Sequence, residues 1–156
     1  MRINELKTVL DKETRISLLV KEHGFNYKLK GKLNTPEGIY HFMEDNYQMS
    51  SLTEEHVYML ALDSKCQLIG VFKISTGTVN ASIVDVRGLF VKALLCNAVH
   101  IVLIHNHPSG DEKNPSIEDI RITKKLSEGS NILGLSFLDH IIIGNSYKSL
   151  KESGLM

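Results

Sequence analysis

A single layered α/β domain is the fold the sequence predicts, on three observations. Apolar runs with strand character alternate along the chain with segments of helical periodicity. One run, Val99-His100-Ile101-Val102-Leu103-Ile104, is too short and too β-branched for a helix and reads as a buried strand. The length, 156 residues, suits one domain and is enough to bury a sizeable core.

The elements follow in order. Residues 1–34 are mixed. Within them Leu6–Leu10 and Arg15–Val20 read as short strands, and Gly24 and Gly31 punctuate a basic stretch. They are expected to form a short N-terminal extension packed on a domain that spans 35–156. Thr35-Pro36-Glu37 is a helix start: an N-cap hydroxyl, proline at the first helical position and an acid in the first turn. Ile39, Phe42 and Met43 give that helix an apolar face, and it should end near Tyr47. Beyond the polar connector Ser50-Ser51, Glu55–Leu62 and Gln67–Ile74 read as strands joined by the turn chemistry of Asp63-Ser64-Lys65. Thr76-Gly77-Thr78 should break the second strand. Arg87–Asn97 reads as a helix with Phe90, Ala93, Leu94 and Asn97 on one face. After the Val99–Ile104 strand comes a loop rich in Pro, Gly and Asn, then a helix from Ser116 to about Ser130 and a final apolar strand, Phe137–Ile143.

Composition narrows the function. Eighteen basic residues balance eighteen acidic ones, so no global field draws the chain to nucleic acid or anionic lipid. Cys66 and Cys96 sit in apolar surroundings and read as reduced, buried thiols. No apolar run reaches the roughly 18 residues of a membrane span, and Met1-Arg2-Ile3-Asn4-Glu5 carries no signal core. A soluble, cytoplasmic protein with no membrane partner is expected.

The chemistry concentrates at His105-Asn106-His107-Pro108, with Ser116 and Asp119 at offsets 11 and 14 from His105. Strand alternation points His105 and His107 the same way and Asn106 the opposite way, and Pro108 ends the ladder. Two convergent imidazoles at a strand tip, with a carboxylate returning, are the makings of a catalytic zinc site with an open position. Ser116 and Asp119 have a competing reading as a capping box, Ser-x-x-Asp at a helix start. Yet positions 116, 119, 122, 123 and 126 share one face, which continues into apolar residues and tilts Asp119 toward the core. A carboxylate there needs a partner. A dication held by His105 and His107 would be one, and the cap and site roles of Ser116 are compatible. Asp111 and Glu112 read as solvated loop acids. Other motif classes fail. H-x-E with P-C-x-x-C, H-E-x-x-H and the glycine-rich phosphate loops are all absent, and nothing supports a cysteine nucleophile.

The spacing His-x-His-Pro, seven residues, Ser, two residues, Asp resembles the JAMM (MPN+) metalloprotease motif at each of those positions. The wider blocks resemble the bacterial RadC-like JAB domain over about residues 35–156. They include Glu55-His56-Val57, Leu94-Leu95-Cys96-Asn97-Ala98, His105-Asn106-His107-Pro108-Ser109-Gly110, Pro115-Ser116-Ile117-Glu118-Asp119 and Leu138-Asp139-His140-Ile141-Ile142-Ile143-Gly144.

The resemblance implies an α/β fold of MPN/JAB type, a mixed β-sheet packed between helices. It implies Zn2+ held by His105, His107 and Asp119, with a water in the fourth position. Glu55 would be the general base, Glu54 being the competing choice; the family sets its glutamate directly before the position of His56. Ser116 would hydrogen-bond the developing oxyanion. Without the motif, Glu55 would read as a solvated strand-edge acid. One block departs: Val86-Arg87-Gly88 stands where RadC-like sequences usually read Pro-Arg-Glu. The helix–hairpin–helix region that precedes the domain in full-length RadC proteins is not apparent in residues 1–34. The implied activity is zinc-dependent cleavage of a peptide or isopeptide amide, with a peptide or ubiquitin-like protein as substrate. The alternative is a repair or mobile-element protein acting on DNA or a DNA-bound partner, which the neutral net charge disfavours. A non-catalytic scaffold is a third reading, and the complete ligand set opposes it.

Overall fold

The computed structural model describes residues 2–26, 32–77 and 84–156. Among these residues seven strands are formed: β1 (Arg2–Leu10), β2 (Ser17–Asn26), β3 (Glu55–Leu62), β4 (Leu68–Gly77), β5 (His100–Asn106), β6 (Ser136–Ile143) and β7 (Tyr147–Ser149). They make one mixed sheet in the order β2-β1-β4-β3-β5-β6-β7, antiparallel except where β1 meets β4 and β5 meets β6. Three helices, α1 (Pro36–Tyr47), α2 (Val86–Leu95) and α3 (Ile117–Leu133), cover its faces. The result is the single-domain, mixed-sheet α/β fold that the resemblance implies.

Alternation along the strands divides the core in two. Tyr58, Leu60 and Leu62 of β3 and Val102 and Ile104 of β5 pack with Ile39, Phe42 and Met43 of α1. Val57, Met59 and Ala61 of β3 and Ile101 and Leu103 of β5 pack with Leu89, Phe90 and Ala93 of α2 and Ile122 and Leu126 of α3. Buried on both faces, β5 is therefore apolar throughout its middle, as a central strand must be. α1 starts as expected: the Thr35 hydroxyl accepts the Gly38 N–H at 3.2 Å, with Pro36 next to it. No helix among the described residues is long and apolar enough to cross a membrane.

Several expectations are corrected. The N-terminal strands are longer than their local pattern suggested, because β1 and β2 pair along their whole length and β1 joins the sheet beside β4. β4 runs through Thr76 and Gly77 instead of breaking there, because these residues pair with His56 and Glu55 at the start of β3. Gly31 and Thr78, the other expected breaks, lie outside the described residues. Leu94 is exposed: α2, capped by Asp85, spans Val86–Leu95 and buries Leu89, Phe90 and Ala93, and Asn97 lies beyond its end. Glu112 is buried rather than solvated: its carboxylate accepts the Ser146 N–H and lies over Gly144, where a Cβ would come within 2.6 Å of Oε2. Cys66 and Cys96 are free but only half-buried. β7, three residues long, has no periodicity for sequence reading to find.

Candidate metal centre

The site forms where the C-terminal end of β5 meets the N-terminus of α3. β5 pairs His105 with Val57 on β3, and on its other side pairs Asn106 with Ile143 on β6. The His107 N–H donates to the Ile143 carbonyl at 2.8 Å, which carries the parallel ladder one residue past the strand. The expected alternation is therefore kept, and both imidazoles face α3. Their Nε2 atoms are 3.0 Å apart. Asp119 completes the group, with Oδ1 3.2 Å from His105 Nε2 and Oδ2 3.5 Å from His107 Nε2.

Ser116 and Asp119 do form the capping box: the Ser116 hydroxyl accepts the Asp119 N–H at 3.1 Å, and Asp119 Oδ2 accepts the Ser116 N–H at 2.7 Å. The Ser116 hydroxyl also donates to Oδ2 at 2.7 Å. The cap and the site thus share one carboxylate. Asp119 can fold the helix end and still present its oxygens to the histidines.

These residues fit a metal ion. Their ligand atoms lie within 4.8 Å of one another, and the group is largely buried. Ligand atoms about 2.0–2.1 Å from a tetrahedral ion stand roughly 3.3 Å apart, close to the separations found here. Two imidazoles and one carboxylate also match the three-ligand set that leaves a position open for substrate or water.

The electrostatics follow from burial and from the contacts among these side chains. Burial alone would raise the Asp119 pKa, but its contacts with the imidazoles of His105 and His107 outweigh burial and hold the carboxyl well below the usual range. His107 is pushed up, first by its contact with Asp119 and against the effect of burial, then by the Asp111 carbonyl and the charge of Glu55. His140 is pushed well down by complete burial and by the neighbouring His105.

Around these three side chains lies a layer of hydrogen bonds. His107 Nδ1 is 2.6 Å from the Asp111 carbonyl, and the Asp111 carboxylate holds that loop by accepting the N–H groups of Lys113 and Asn114. His105 Nδ1 is 2.9 Å from His140 Nε2, and His140 Nδ1 is 2.6 Å from Thr123 Oγ1. Asn106, facing the other way, clamps the start of β3: its Oδ1 accepts the His56 N–H at 2.8 Å and its Nδ2 donates to the Glu54 carbonyl at 3.0 Å. The clamp brackets Glu55. That residue lines a cleft of about 660 Å³ together with His105, His107, Ser116 and Asp119, floored by Val57, Leu103 and Ile122. Glu54 is mostly exposed, with its carboxylate 4.0 Å from His56 Nε2.

Each site residue singled out from the sequence therefore lies on this cleft. Sequence reasoning gave no role to Asn106, Thr123 or His140. A signal existed for His140: Asp139-His140 is a polar pair inside an otherwise apolar strand, and both residues are buried. Buried polar groups need partners.

Fold and site together define an α/β domain whose His-His-Asp group, at a strand tip on a cleft that also holds a glutamate, could hold a metal ion. The RadC-like JAB domain family matches residues 33–155, and the chain belongs to that family. It is 44% identical over 125 residues to a UPF0758 protein of Desulfitobacterium hafniense, covering 80% of this chain and 54% of that relative. It is 48% identical over 110 residues to one from Clostridium acetobutylicum, covering 70% and 48%. A UPF0758 protein of Methanosarcina mazei is 38% identical over 153 residues, covering 97% and 63%. The chain thus spans about half to five-eighths of the length of these relatives.

Proposed function

We propose that the protein is a zinc-dependent hydrolase of the JAMM class, cleaving a peptide or isopeptide amide. The observation that carries this reading is the convergence of His105 Nε2, His107 Nε2 and Asp119 on one point of a cleft that Glu55 also lines. Zinc held by the three residues would supply a Lewis acid and bring the ionisation of a water toward neutral pH. The work of the chain is then acid–base chemistry and positioning. Glu55, held in register by the Asn106 clamp, takes a proton from the attacking water and returns it to the leaving amine. The Ser116 hydroxyl turns from Asp119 toward the scissile carbonyl and donates to its oxygen as charge develops there. The apolar floor of Val57, Leu103 and Ile122 excludes bulk water on one side.

Metal analysis of the purified protein tests the first half. We expect about one zinc per chain in the wild type and little in His107→Ala or Asp119→Ala. Equal zinc in all three overturns the assignment. Screening the zinc-loaded protein against a peptide and isopeptide amide library, beside Glu55→Gln, tests the second half. Cleavage that survives in Glu55→Gln would remove Glu55 from its role.

A further inference from the structure

His140 lies within β6, and nothing in the chemistry above uses it. Its side chain is buried and both ring nitrogens are engaged, Nε2 with His105 Nδ1 and Nδ1 with Thr123 Oγ1. Thr123 in turn donates to the main-chain carbonyl of Asp119 at 2.6 Å. We infer that Thr123 and His140 are positioning residues that set the tautomer of His105, so that its Nε2 lone pair faces Asp119 and His107 for a metal. The inference rests on the metal-site reading given above.

The direction of the chain of hydrogen bonds follows from which atoms own protons. A carbonyl oxygen only accepts, so the single hydroxyl proton of Thr123 goes to Asp119. Oγ1 then has only lone pairs to offer His140, and His140 Nδ1 must carry the hydrogen. In that tautomer Nε2 carries only a lone pair, and it lies 2.9 Å from His105 Nδ1 as an acceptor. His105 Nδ1 must donate to that acceptor. A neutral His105 with its hydrogen on Nδ1 has its lone pair on Nε2, the atom 3.2 Å from Asp119.

The opposite direction would be destructive. If Thr123 donated to His140, then His140 would donate to His105, and the His105 proton would sit on Nε2 and block ligation. The Asp119 carbonyl is what excludes this arrangement. His107 reaches the same end by a shorter route, because its Nδ1 donates directly to the Asp111 carbonyl at 2.6 Å. Both ligands are therefore poised by main-chain carbonyls, one directly and one through two side chains. Outer-layer partners of this kind fix ring orientation and raise ligand basicity. The longer route also joins α3, β6 and β5 in a closed circuit, because the residue that accepts the last hydrogen bond is itself a ligand.

The test uses the full chain labelled with 15N-histidine at pH 8, chelator-treated and then zinc-loaded. Long-range 1H–15N spectra report which ring nitrogen holds each proton. In the wild type we expect Nδ1–H on both His140 and His105; Nε2–H on His140 overturns the inference. Thr123→Val keeps the shape and removes the hydroxyl. It should move the His140 proton to Nε2 and weaken zinc binding, measured by chelator competition, by about 10–100-fold. Thr123→Ser should restore both. Wild-type tautomers and affinity in Thr123→Val also overturn the inference, because a purely packing role would leave them unmoved. Should Thr123→Val not fold, the wild-type spectrum decides alone. A wild type that binds no zinc would remove the metal reading, while the chelator-treated spectrum would still score the relay.

Discussion

Asp119 combines duties that usually fall to separate residues. One carboxylate ends the capping box, accepts the Ser116 hydroxyl and pairs with two histidines. Asp119→Asn keeps the shape and one oxygen, so the helix end should persist. Zinc affinity should nonetheless fall by more than roughly 100-fold, beyond what loss of an outer-layer partner costs. Chelator competition beside a circular-dichroism melt separates the two effects, and unchanged affinity would remove Asp119 from the ligand set. The same pair makes metal-free stability depend on pH. His107 is raised above its ordinary 6.5, chiefly by Asp119, so its contribution is complete below that value and is lost as pH rises through the raised one. Asp119 is depressed below its ordinary 3.8, so its contribution is present above that value and is lost only in strong acid. Chelator-treated protein should therefore show a urea midpoint that falls as pH climbs above 6.5 through the raised His107 value. Zinc affinity should rise over the same interval, because binding displaces the His107 proton. A midpoint that rises with pH would contradict the His107 assignment.

Contacts between elements decide two further outcomes and explain what the sequence could disclose. Gly129 on α3 faces Phe90 on α2, and a Cβ there would lie 2.6 Å from the ring. Glycine to alanine inside a helix ordinarily gains about 1 kcal/mol. Here overpacking should win, and Gly129→Ala should lower the urea-derived stability by about 1–3 kcal/mol. Any gain would show that the ring moves aside freely. The Asn106 clamp joins β5 to β3 by two hydrogen bonds. Asn106→Ala leaves the His56 N–H and Glu54 carbonyl without that partner and should cost about 1–3 kcal/mol. Hydrogen exchange at the His56 amide should quicken, and an unchanged rate would mean the clamp holds nothing. Elements with strong local signals were legible in the sequence: α1 from its Thr35-Pro36 start, β5 from its apolar run, α3 from Ser116 onward. The convergence of His105, His107 and Asp119 was legible because strand alternation and helical-face arithmetic are both local rules. Long-range pairing was not. The full length of β1 and β2, the run of β4 through Gly77, and the relay from His105 to Thr123 depend on which strand lies beside which.

At the scale of the whole molecule, the sheet order brings together parts of the chain that are far apart in sequence. Antiparallel β3 and β5 align Val57 with His105, so the start of one strand and the end of the other open on the same edge as the N-terminus of α3. Parallel β5 and β6 place His140 across from Leu103, close enough to reach His105. Ligand sites in α/β sheets gather at the carboxyl ends of parallel strands for this reason. A metal ion here would tie β5 to α3 across the layer boundary, in parallel with the apolar core formed by Leu103, Ile122 and Leu126. It would bind the folded chain and not the unfolded one, in which the three ligands are dispersed. At free zinc about 1,000-fold above Kd, that linkage is worth about 4 kcal/mol. For a chain of 156 residues, each kcal/mol moves Tm by roughly 2–4 °C, so zinc should raise Tm by about 8–16 °C. The rise should grow with the logarithm of free zinc, vanish in Asp119→Asn and shrink in Thr123→Val. Scanning calorimetry over a zinc series reads all three. A Tm insensitive to zinc in the wild type would mean that the convergence of His105, His107 and Asp119 serves the fold alone.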